Sequence, residues 1–339
     1  MNLKRLLAAA ALTLSCAGPV LAQSTPITED PGRPHVRESI EGKKVIMVPM
    51  SAGFDLAQGW AHYIGDTVKS WGGTFEVRDP NWDVGAGAQA ITDAISAKPA
   101  VLIVMNPDLA SYVKLMKRAQ SEGIYVVQID NRSNLPTEVF AGADWVQLGR
   151  LEGEAVLKGC GEGTSKHVAL IQGDQVNASS LDQYAGIKQV LDKHPDISIV
   201  AQPDSNWDAT TAKNVATTVL QQHPEVCGII DFWDGTVTGT AAAVRDAKLN
   251  GKVYVVTTGG GEQVDCNMLD DGTINAIVTT DVPQQSRNIN AAISLLLQSG
   301  VPAGQVKSWL FTDLKITTKA DVKPGTCWNL KEIQAAAKK

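Results

Sequence analysis

Short apolar runs alternate with longer segments of helical spacing from residue 44 onward. Nine runs rich in β-branched residues predict strands: KVIMVPM, TFEV, AVLIVM, IYVVQID, HVALIQ, ISIVAQ, VCGIID, KVYVVTT and INAIVTT. The segments between them predict helices, among them 108–122, 181–193, 209–222 and 237–247. Strands that alternate with helices indicate right-handed βαβ units and parallel sheets.

Nine strands are many for one sheet, and the pattern restarts at SKHVALIQG, after the turn-rich stretch GCGEGTSK. We therefore predict an α/β fold with two similar, doubly wound parallel sheets. Polar or aromatic residues recur just after the strands, at Ser51, Asn106, Asp130-Asn131, Asp174, Trp207-Asp208, Trp233-Asp234, Thr258 and Thr280-Asp281. Because open α/β sheets bind ligands at the carboxyl ends of their strands, these residues predict a cleft. The alternative is that the Asp and Asn residues only cap the following helices.

The first 22 residues have a different character. Lys4 and Arg5 precede the apolar stretch LLAAAALTLS, and PVLA offers a cleavage site after Ala22. This pattern predicts a secretory signal peptide, too short to span a bilayer, and hence an exported protein. A lipoprotein signal that uses Cys16 is the less favoured alternative, because Thr13 replaces the usual leucine.

Four cysteines follow the leader, and none belongs to a Cys-x-x-Cys motif. An even number in an oxidising compartment permits two disulfides, with three possible pairings. The formal charge is −6, with no basic block, so nucleic acid is not an expected partner.

The stretch YVVTTGGGEQ raises the possibility of a phosphate site, but its glycines match neither known fingerprint. No lysine follows Gly261, as a P-loop requires, and Val264 stands where the Rossmann pattern needs its last glycine. Glu262 would also repel an anion.

Other chemical motifs are equally absent from the sequence. The stretch starting at Asp204 begins like a calcium loop but lacks the glycine and glutamate that such a loop needs. The five histidines are scattered, and there is no G-x-S-x-G elbow. We therefore expect neither an enzyme nor a cofactor.

Eight tryptophans against five phenylalanines is an unusual ratio. Trp207 and Trp233 lie in polar loops, SNWDAT and DFWDGT, rather than on an apolar helical stripe. Aromatic rings stack on the C–H faces of sugars while Asp, Asn and Gln bind the hydroxyls, so these loops favour a carbohydrate ligand. The alternative is that both rings are core or rim supports.

The order of VLIVMNPDLAS, GIYVVQIDN, AGADWVQLGRLEGE, QQHPEVCGIIDFWDGTVTGTAAAV and DGTINAIVTTD resembles the ribose-binding type of periplasmic solute-binding protein. The resemblance covers about Val45 to Ile316 and implies two lobes joined by a three-crossing hinge, near Ala143, Thr280 and Leu310. It implies a lead segment at 23–43, a first lobe of 44–143 plus 281–310, and a second of 144–280 plus 311–339.

The resemblance also implies ligand-binding roles. Asn106 matches a family asparagine, and Asp130 matches the aspartate that accepts sugar hydroxyls. Trp207 falls at an aromatic stacking position, and Trp233 replaces a usual asparagine beside Asp234. Phe54 and Asp55 lie in the first loop, where spacing departs from the family, and Thr280 ends the ninth predicted strand.

Three departures bear on specificity. Gly259 stands where the family has a sugar-binding aspartate, and Gln183 and Asn131 replace two frequent arginines. The glycine triplet is expected to create space for the ligand or allow backbone approach. The loss of two cations favours a neutral sugar or polyol over a sugar acid.

The resemblance therefore implies capture of a small neutral sugar or polyol for an ABC permease, by a protein expected to be a monomer. The alternative is a protein that presents a sugar or furanosyl signal to a chemoreceptor or sensor kinase. Within the two-lobed fold, the expected disulfide pairs are Cys160–Cys227 and Cys266–Cys327.

Overall fold

The chain folds into two lobes, each built on a six-stranded sheet. The computed structural model describes residues 32–336, so the predicted signal peptide and Cys16 lie outside the described residues. The strands are β1 Lys44–Val48, β2 Thr74–Val77, β3 Val101–Val104, β4 Tyr125–Ile129, β5 Val139–Gly142, β6 His167–Ile171, β7 Ser198–Ala201, β8 Gly228–Asp231, β9 Tyr254–Gly259, β10 Ala276–Thr279, β11 Ser308–Phe311 and β12 Lys315–Thr318.

Helices separate most of these strands, as the alternating pattern predicts. They are α1 Gly32–Ile40, α2 Asp55–Ser70, α3 Val84–Ser96, α4 Val113–Ser121, α5 Trp145–Gly159, α6 Ala178–Leu191, α7 Ala209–Gln222, α8 Asp234–Asp246, α9 Gln263–Asp270, α10 Val282–Ser299 and α11 Leu330–Ala336. None of the helices between residues 32 and 336 is both long and apolar enough to cross a bilayer.

The two sheets have equivalent strand orders. Their strand orders are β2-β1-β3-β4-β5-β11 and β7-β6-β8-β9-β10-β12. All neighbouring strands run parallel except β10 and β12. The predicted fold of two doubly wound α/β sheets is therefore confirmed, and all nine predicted strands are present. Three short strands, β5, β11 and β12, were not predicted.

Both faces of each sheet are covered by helices, which explains the nearly continuous apolar strands. In the first lobe, α2 and α10 pack on one face of the sheet, and α3 and α4 pack on the other. In the second lobe, α7, α8 and α9 cover one face, and α5 and α6 cover the opposite one. Each Val, Leu or Ile buried in these layers contributes about 1.5–3 kcal/mol relative to exposure.

The chain passes between the lobes three times, from β5 to α5, from β10 to α10 and from β11 to β12. The predicted second-lobe range 311–339 differs from this arrangement at two places. Phe311 still belongs to the first sheet. The terminal helix α11 contacts α2 of the first lobe, because Trp328 packs closely against Gly59 of that helix.

Both predicted disulfides are confirmed. Cys160 bonds to Cys227 with a Cα–Cα distance of 5.3 Å, and Cys266 bonds to Cys327 with a distance of 6.1 Å. The first joins the end of α5 to the start of β8. The second ties the terminal segment to α9, beside the glycine triplet.

Candidate ligand-binding cleft

The carboxyl ends of strands from both sheets border one cavity between the lobes. It holds about 530 Å³ of empty space, open solvent at its mouth included. Concave sites lined by aromatic and apolar side chains with a few polar groups are typical of small-molecule binding. The lining residues are Met50, Phe54, Leu56, Trp82, Met105, Asp130, Asn131, Trp145, Asn177, Ser179, Trp207, Phe232, Trp233, Thr258, Gly259 and Thr280.

Asp130 is the only acidic side chain that lines this cavity within the described part of the chain, and no Lys, Arg or His lines it. Its φ of 61° is left-handed, a conformation that costs free energy and is typical of functional sites. The backbone holds it there: its N–H donates to Ala141 O at 2.9 Å, and Trp145 Nε1 donates to its carbonyl at 2.8 Å. Burial raises the pKa of Asp130 to about 7, opposed by a long hydrogen bond from Gln285.

Four aromatic rings, two from each lobe, line the cavity and contact one another. Phe54 and Trp82 belong to the first lobe, and Trp207 and Trp233 to the second. The centroid of Trp233 lies 5.9 Å from that of Phe54, 6.1 Å from Trp82 and 6.3 Å from Trp207. Trp233 is therefore the ring at which the two lobes meet, and the cluster offers apolar faces for stacking on a ligand.

Two of these tryptophans are presented by the same turn, repeated in both lobes. The letters NWD occur at 81–83, after β2, and at 206–208, after β7. The Asn and Trp of each turn have left-handed backbones, with φ between 49° and 65°. The Asp then caps the next helix: Asp83 accepts from Ala86 N, and Asp208 accepts from Thr211 N. The capping interpretation thus holds for Asp208, whereas Trp207 lines the cavity.

Asn106 lies behind the cavity wall rather than in it. Its Nδ2 donates to Gln128 Oε1 and to the backbone oxygen of Asn131, both at 2.9 Å. Asn106 thereby fixes the loop that carries Asn131, whose own side chain reaches the cavity. The Oδ1 atom of Asn131 is buried and has no hydrogen-bond partner among residues 32–336.

Gln183, which replaces a family arginine, also lies outside the cavity lining. Its Nε2 donates to Glu152 Oε2 at 2.7 Å, and both side chains are fully buried. Burial raises the pKa of Glu152 well above its usual range, and the negative charge of Asp231 raises it further. The pair is thus an internal contact between α5 and α6.

The glycine triplet makes room for protein atoms rather than for a ligand, but Gly259 lines the cavity, so the expected approach of the backbone to a ligand stays a prediction. A Cβ on Gly259 would lie 2.1 Å from Oδ2 of Asp234, so the missing side chain accommodates this carboxylate. A Cβ on Gly260 would meet Val282 at 2.8 Å and Leu56 at 3.3 Å, two residues of the first lobe. The loop therefore needs glycine because protein atoms already fill the space around it.

Three carboxylates gather behind this loop. Asp234 and Asp265 are buried in the second lobe, and neither oxygen of Asp234 has a hydrogen-bond partner in the described chain. Burial raises the pKa of Asp234 well above its usual range and that of Asp265 to about 7. Asp55 of the first lobe adds negative charge that raises both further, and burial raises its own pKa. These three carboxylates are not arranged to hold a metal ion, and no other such group is found in residues 32–336.

Polar contacts join the lobes on another side of the cavity. Arg132, in the loop after β4, donates through Nε and Nη2 to the two oxygens of Asp182 in α6, each at 2.9 Å. Asn177 Nδ2 donates to the backbone oxygen of Pro107 at 3.1 Å. Both contacts link a loop of the first lobe to α6 of the second or to Asn177, which caps that helix, so the cleft is closed.

The profile of the periplasmic binding protein domain matches residues 45–300. The chain belongs to the periplasmic binding protein family. This confirms the predicted resemblance, and the family consists of solute-binding proteins rather than enzymes.

This periplasmic binding protein is similar to curated sugar-binding relatives. It is 30% identical over 197 residues to the D-allose-binding periplasmic protein of Escherichia coli, and 26% identical over 192 residues to the D-apiose import binding protein of Paraburkholderia graminis. Each match covers 56% of this chain and 61% of the relative, so the chain spans about three-fifths of their length. An ABC transporter solute-binding protein from Burkholderia graminis, solved with D-arabinose, has a TM-score of 0.77 at 21% identity, covering 85% of this chain and 99% of that chain.

The structure brings together seven of the residues predicted to bind ligand: Phe54, Asp130, Asn131, Trp207, Trp233, Gly259 and Thr280 line the cavity. Four others, Asp55, Asn106, Gln183 and Asp234, do not line it. Asn106 and Asp234 contact the lining residues Asn131 and Gly259 from behind. Gln183 bonds to Glu152, and Asp55 adds its negative charge near Asp234.

Several lining residues were not predicted as ligand contacts: Met50, Leu56, Trp82, Met105, Trp145, Asn177, Ser179, Phe232 and Thr258. Trp82 carried a usable signal, because its NWD turn repeats the turn of Trp207. Met50, Met105 and Phe232 extend apolar strands and look like core residues in sequence. Only their position at the carboxyl end of a strand distinguishes them from core residues.

Proposed function

We propose that this periplasmic binding protein captures one small neutral sugar or polyol between its lobes and delivers it to an ABC permease. The supporting observation is the closed cavity, which combines the single carboxylate of Asp130 with aromatic rings from both lobes. The carboxylate would accept ligand hydroxyls while the rings stack on the C–H surface. A sugar acid is disfavoured, because no cationic side chain among the described lining residues would pair with its charge.

The names of the curated relatives support the same ligand class, since they bind D-allose and D-apiose. Export through the signal peptide at 1–22, a monomeric state and the absence of nucleic-acid binding belong to this proposal. N-terminal sequencing of the exported protein and analytical ultracentrifugation test the first two. An uncleaved signal peptide would contradict only the proposed export, and a stable dimer would contradict only the proposed monomeric state.

A thermal-shift screen over neutral sugars and polyols tests the proposed function. A ligand at about 100 times its dissociation constant should stabilise the protein by about 2.7 kcal/mol, which raises its melting temperature by several degrees. Sugar acids and nucleotides at the same concentrations serve as controls and should produce no shift. A rise in melting temperature with nucleotides alone would contradict the proposal. So would the absence of any rise with every neutral sugar and polyol in the screen.

A further inference from the structure

We infer that the ligand is a deoxygenated or O-alkylated sugar or polyol rather than a fully hydroxylated one. This inference rests on the proposed function and narrows its ligand class. It is carried by the hydrogen-bonding capacity that the lining side chains have left once their bonds within the protein are made.

Most polar side chains at the cavity already bond to the protein. Asn177 Oδ1 accepts from both the N–H and the hydroxyl of Ser179, at 2.8 and 2.7 Å, while its Nδ2 donates to Pro107. The hydroxyl of Thr258 donates to Val278 O at 2.7 Å. These groups can offer a ligand little more than a lone pair.

The indole N–H groups are committed in the same way at two of the four lining tryptophans. Trp145 Nε1 donates to Asp130 O, and Trp207 Nε1 donates to Asp174 Oδ2 at 2.7 Å. These two rings therefore present carbon faces and edges to the cavity rather than donors.

The polar side-chain groups that remain are few: the carboxylate of Asp130, the amide of Asn131, and the indole N–H groups of Trp82 and Trp233. The carboxylate of Asp130 receives only the 3.5 Å contact from Gln285, and Oδ1 of Asn131 has no partner in the described residues. Each hydroxyl of a sugar is both a donor and an acceptor, so a buried hydroxyl needs protein donors as well. With no Lys, Arg or His in the lining, the free side-chain donors among residues 32–336 are two indole N–H groups and one amide, fewer than a fully hydroxylated sugar needs.

The rest of the wall is apolar, and hydroxyls facing it would lose their water without replacement. Met50, Leu56, Met105 and Phe232 lie among the aromatic rings. A buried polar group without a partner is unfavourable, whereas a methyl or methylene group at the same place gains from burial. The cavity should thus favour a ligand in which some hydroxyls are replaced by hydrogen or an alkoxy group.

Calorimetry on matched sugar pairs tests this inference. The pairs are D-galactose and D-fucose, L-mannose and L-rhamnose, D-ribose and 2-deoxy-D-ribose, and D-glucose and its methyl glycosides. In at least one pair the compound with fewer free hydroxyls should bind at least tenfold more tightly, equal to about 1.4 kcal/mol. Equal or tighter binding of the fully hydroxylated member in every pair that binds would overturn the inference and leave the proposed function standing. Absence of binding by every sugar and polyol would overturn both.

A substitution in the wall provides a second test. Met105→Gln adds an amide donor to the apolar surface. In the sugar pair that binds, it should change the ratio of the two dissociation constants about tenfold in favour of the more hydroxylated sugar. Leu295→Gln, which places the same side chain on an exposed position of α10, should leave the ratio unchanged. A ratio unaltered by Met105→Gln in a folded protein would contradict the account.

Discussion

Asp130 combines three properties that rarely occur together in a structural residue. It has a left-handed backbone, a buried carboxylate and no cationic partner within the described cavity lining. Its backbone atoms are bonded to the protein, whereas its side chain has one long contact. The residue is therefore positioned by the fold and left available for a ligand.

Replacement of Asp130 by alanine should weaken binding of the identified ligand by about 2–4 kcal/mol, because a charge-assisted hydrogen bond in a closed cleft is lost. The circular dichroism spectrum should remain that of the wild type, since the backbone bonds of residue 130 do not involve its side chain. Calorimetry measures the affinity. An Asp130→Ala protein that binds within threefold of the wild type would rule out this assignment.

The buried carboxylates behind the glycine loop predict an effect of pH on stability. Asp234 has a raised pKa in the folded protein, so the folded state holds its proton more tightly than the unfolded state. Its stabilising contribution is present below the unfolded pKa of about 4 and is lost as pH rises through the folded value. Asp234→Asn should therefore raise the free energy of unfolding at pH 8 by about 1–3 kcal/mol, with little gain at pH 4.

Urea unfolding at both pH values measures this difference, and Asp208→Asn is the matched control. Hydrogen bonds from Thr211 lower the pKa of Asp208, which is exposed, so its replacement should not stabilise the protein at pH 8. A loss of stability for Asp234→Asn at pH 8 would show that this carboxylate has a charged partner we have not identified.

At the scale of single residues, sequence patterns located the cavity better than they assigned contacts. Residues that follow strands reach the cavity because parallel strands end at a common edge. Whether Asn106 and Gln183 face inward or hold a neighbour depends on side-chain direction and on partners such as Gln128 and Glu152, which are distant in sequence. Such partnerships arise only from packing.

The glycine loop after β9 allows the two lobes to pack against each other. Gly260→Ala would place a methyl group against Val282 and Leu56 of the first lobe and should hold the lobes apart. Ligand affinity should fall by about tenfold, within the 1–3 kcal/mol that overpacking costs. Gly161→Ala is the control, since a Cβ there meets no atom within 4 Å. Equal affinities for both variants in calorimetry would place the loop outside the closing interface.

Secondary structure was predictable where strands and helices alternate along the chain, and strand length made no difference, because five of the predicted strands also have four residues. The three strands not predicted, β5, β11 and β12, have four residues each. β11 and β12 are edge strands, and β5 and β12 follow another strand with no helix between them, so the alternating pattern does not mark them. Helix α4 begins at Val113 rather than at 108, because Asp108 accepts hydrogen bonds from the backbone of Ala110 and Ser111 and forms a turn instead.

Across the whole molecule, the Arg132–Asp182 pair links the lobes at positions where no ligand contact is needed. Arg132→Ala should favour the open cleft and weaken ligand binding. Because the pair is partly exposed, its coupling energy with Asp182→Ala should be on the order of 1 kcal/mol. A double-mutant cycle on ligand affinity measures this coupling. Arg118→Ala, which breaks the Arg118–Glu122 pair within α4, should not change affinity. Additive effects of the two cleft substitutions would show that the pair does not stabilise closure.

Native mass spectrometry tests the central claim most directly. The purified protein is incubated with an equimolar mixture of neutral sugars and polyols, the complex is isolated, and the released ligand is identified. The account predicts one bound molecule per chain, recovered chemically unchanged, and loss of the complex in Asp130→Ala. A protein that retains no sugar or polyol, or that releases a chemically altered molecule, would contradict it.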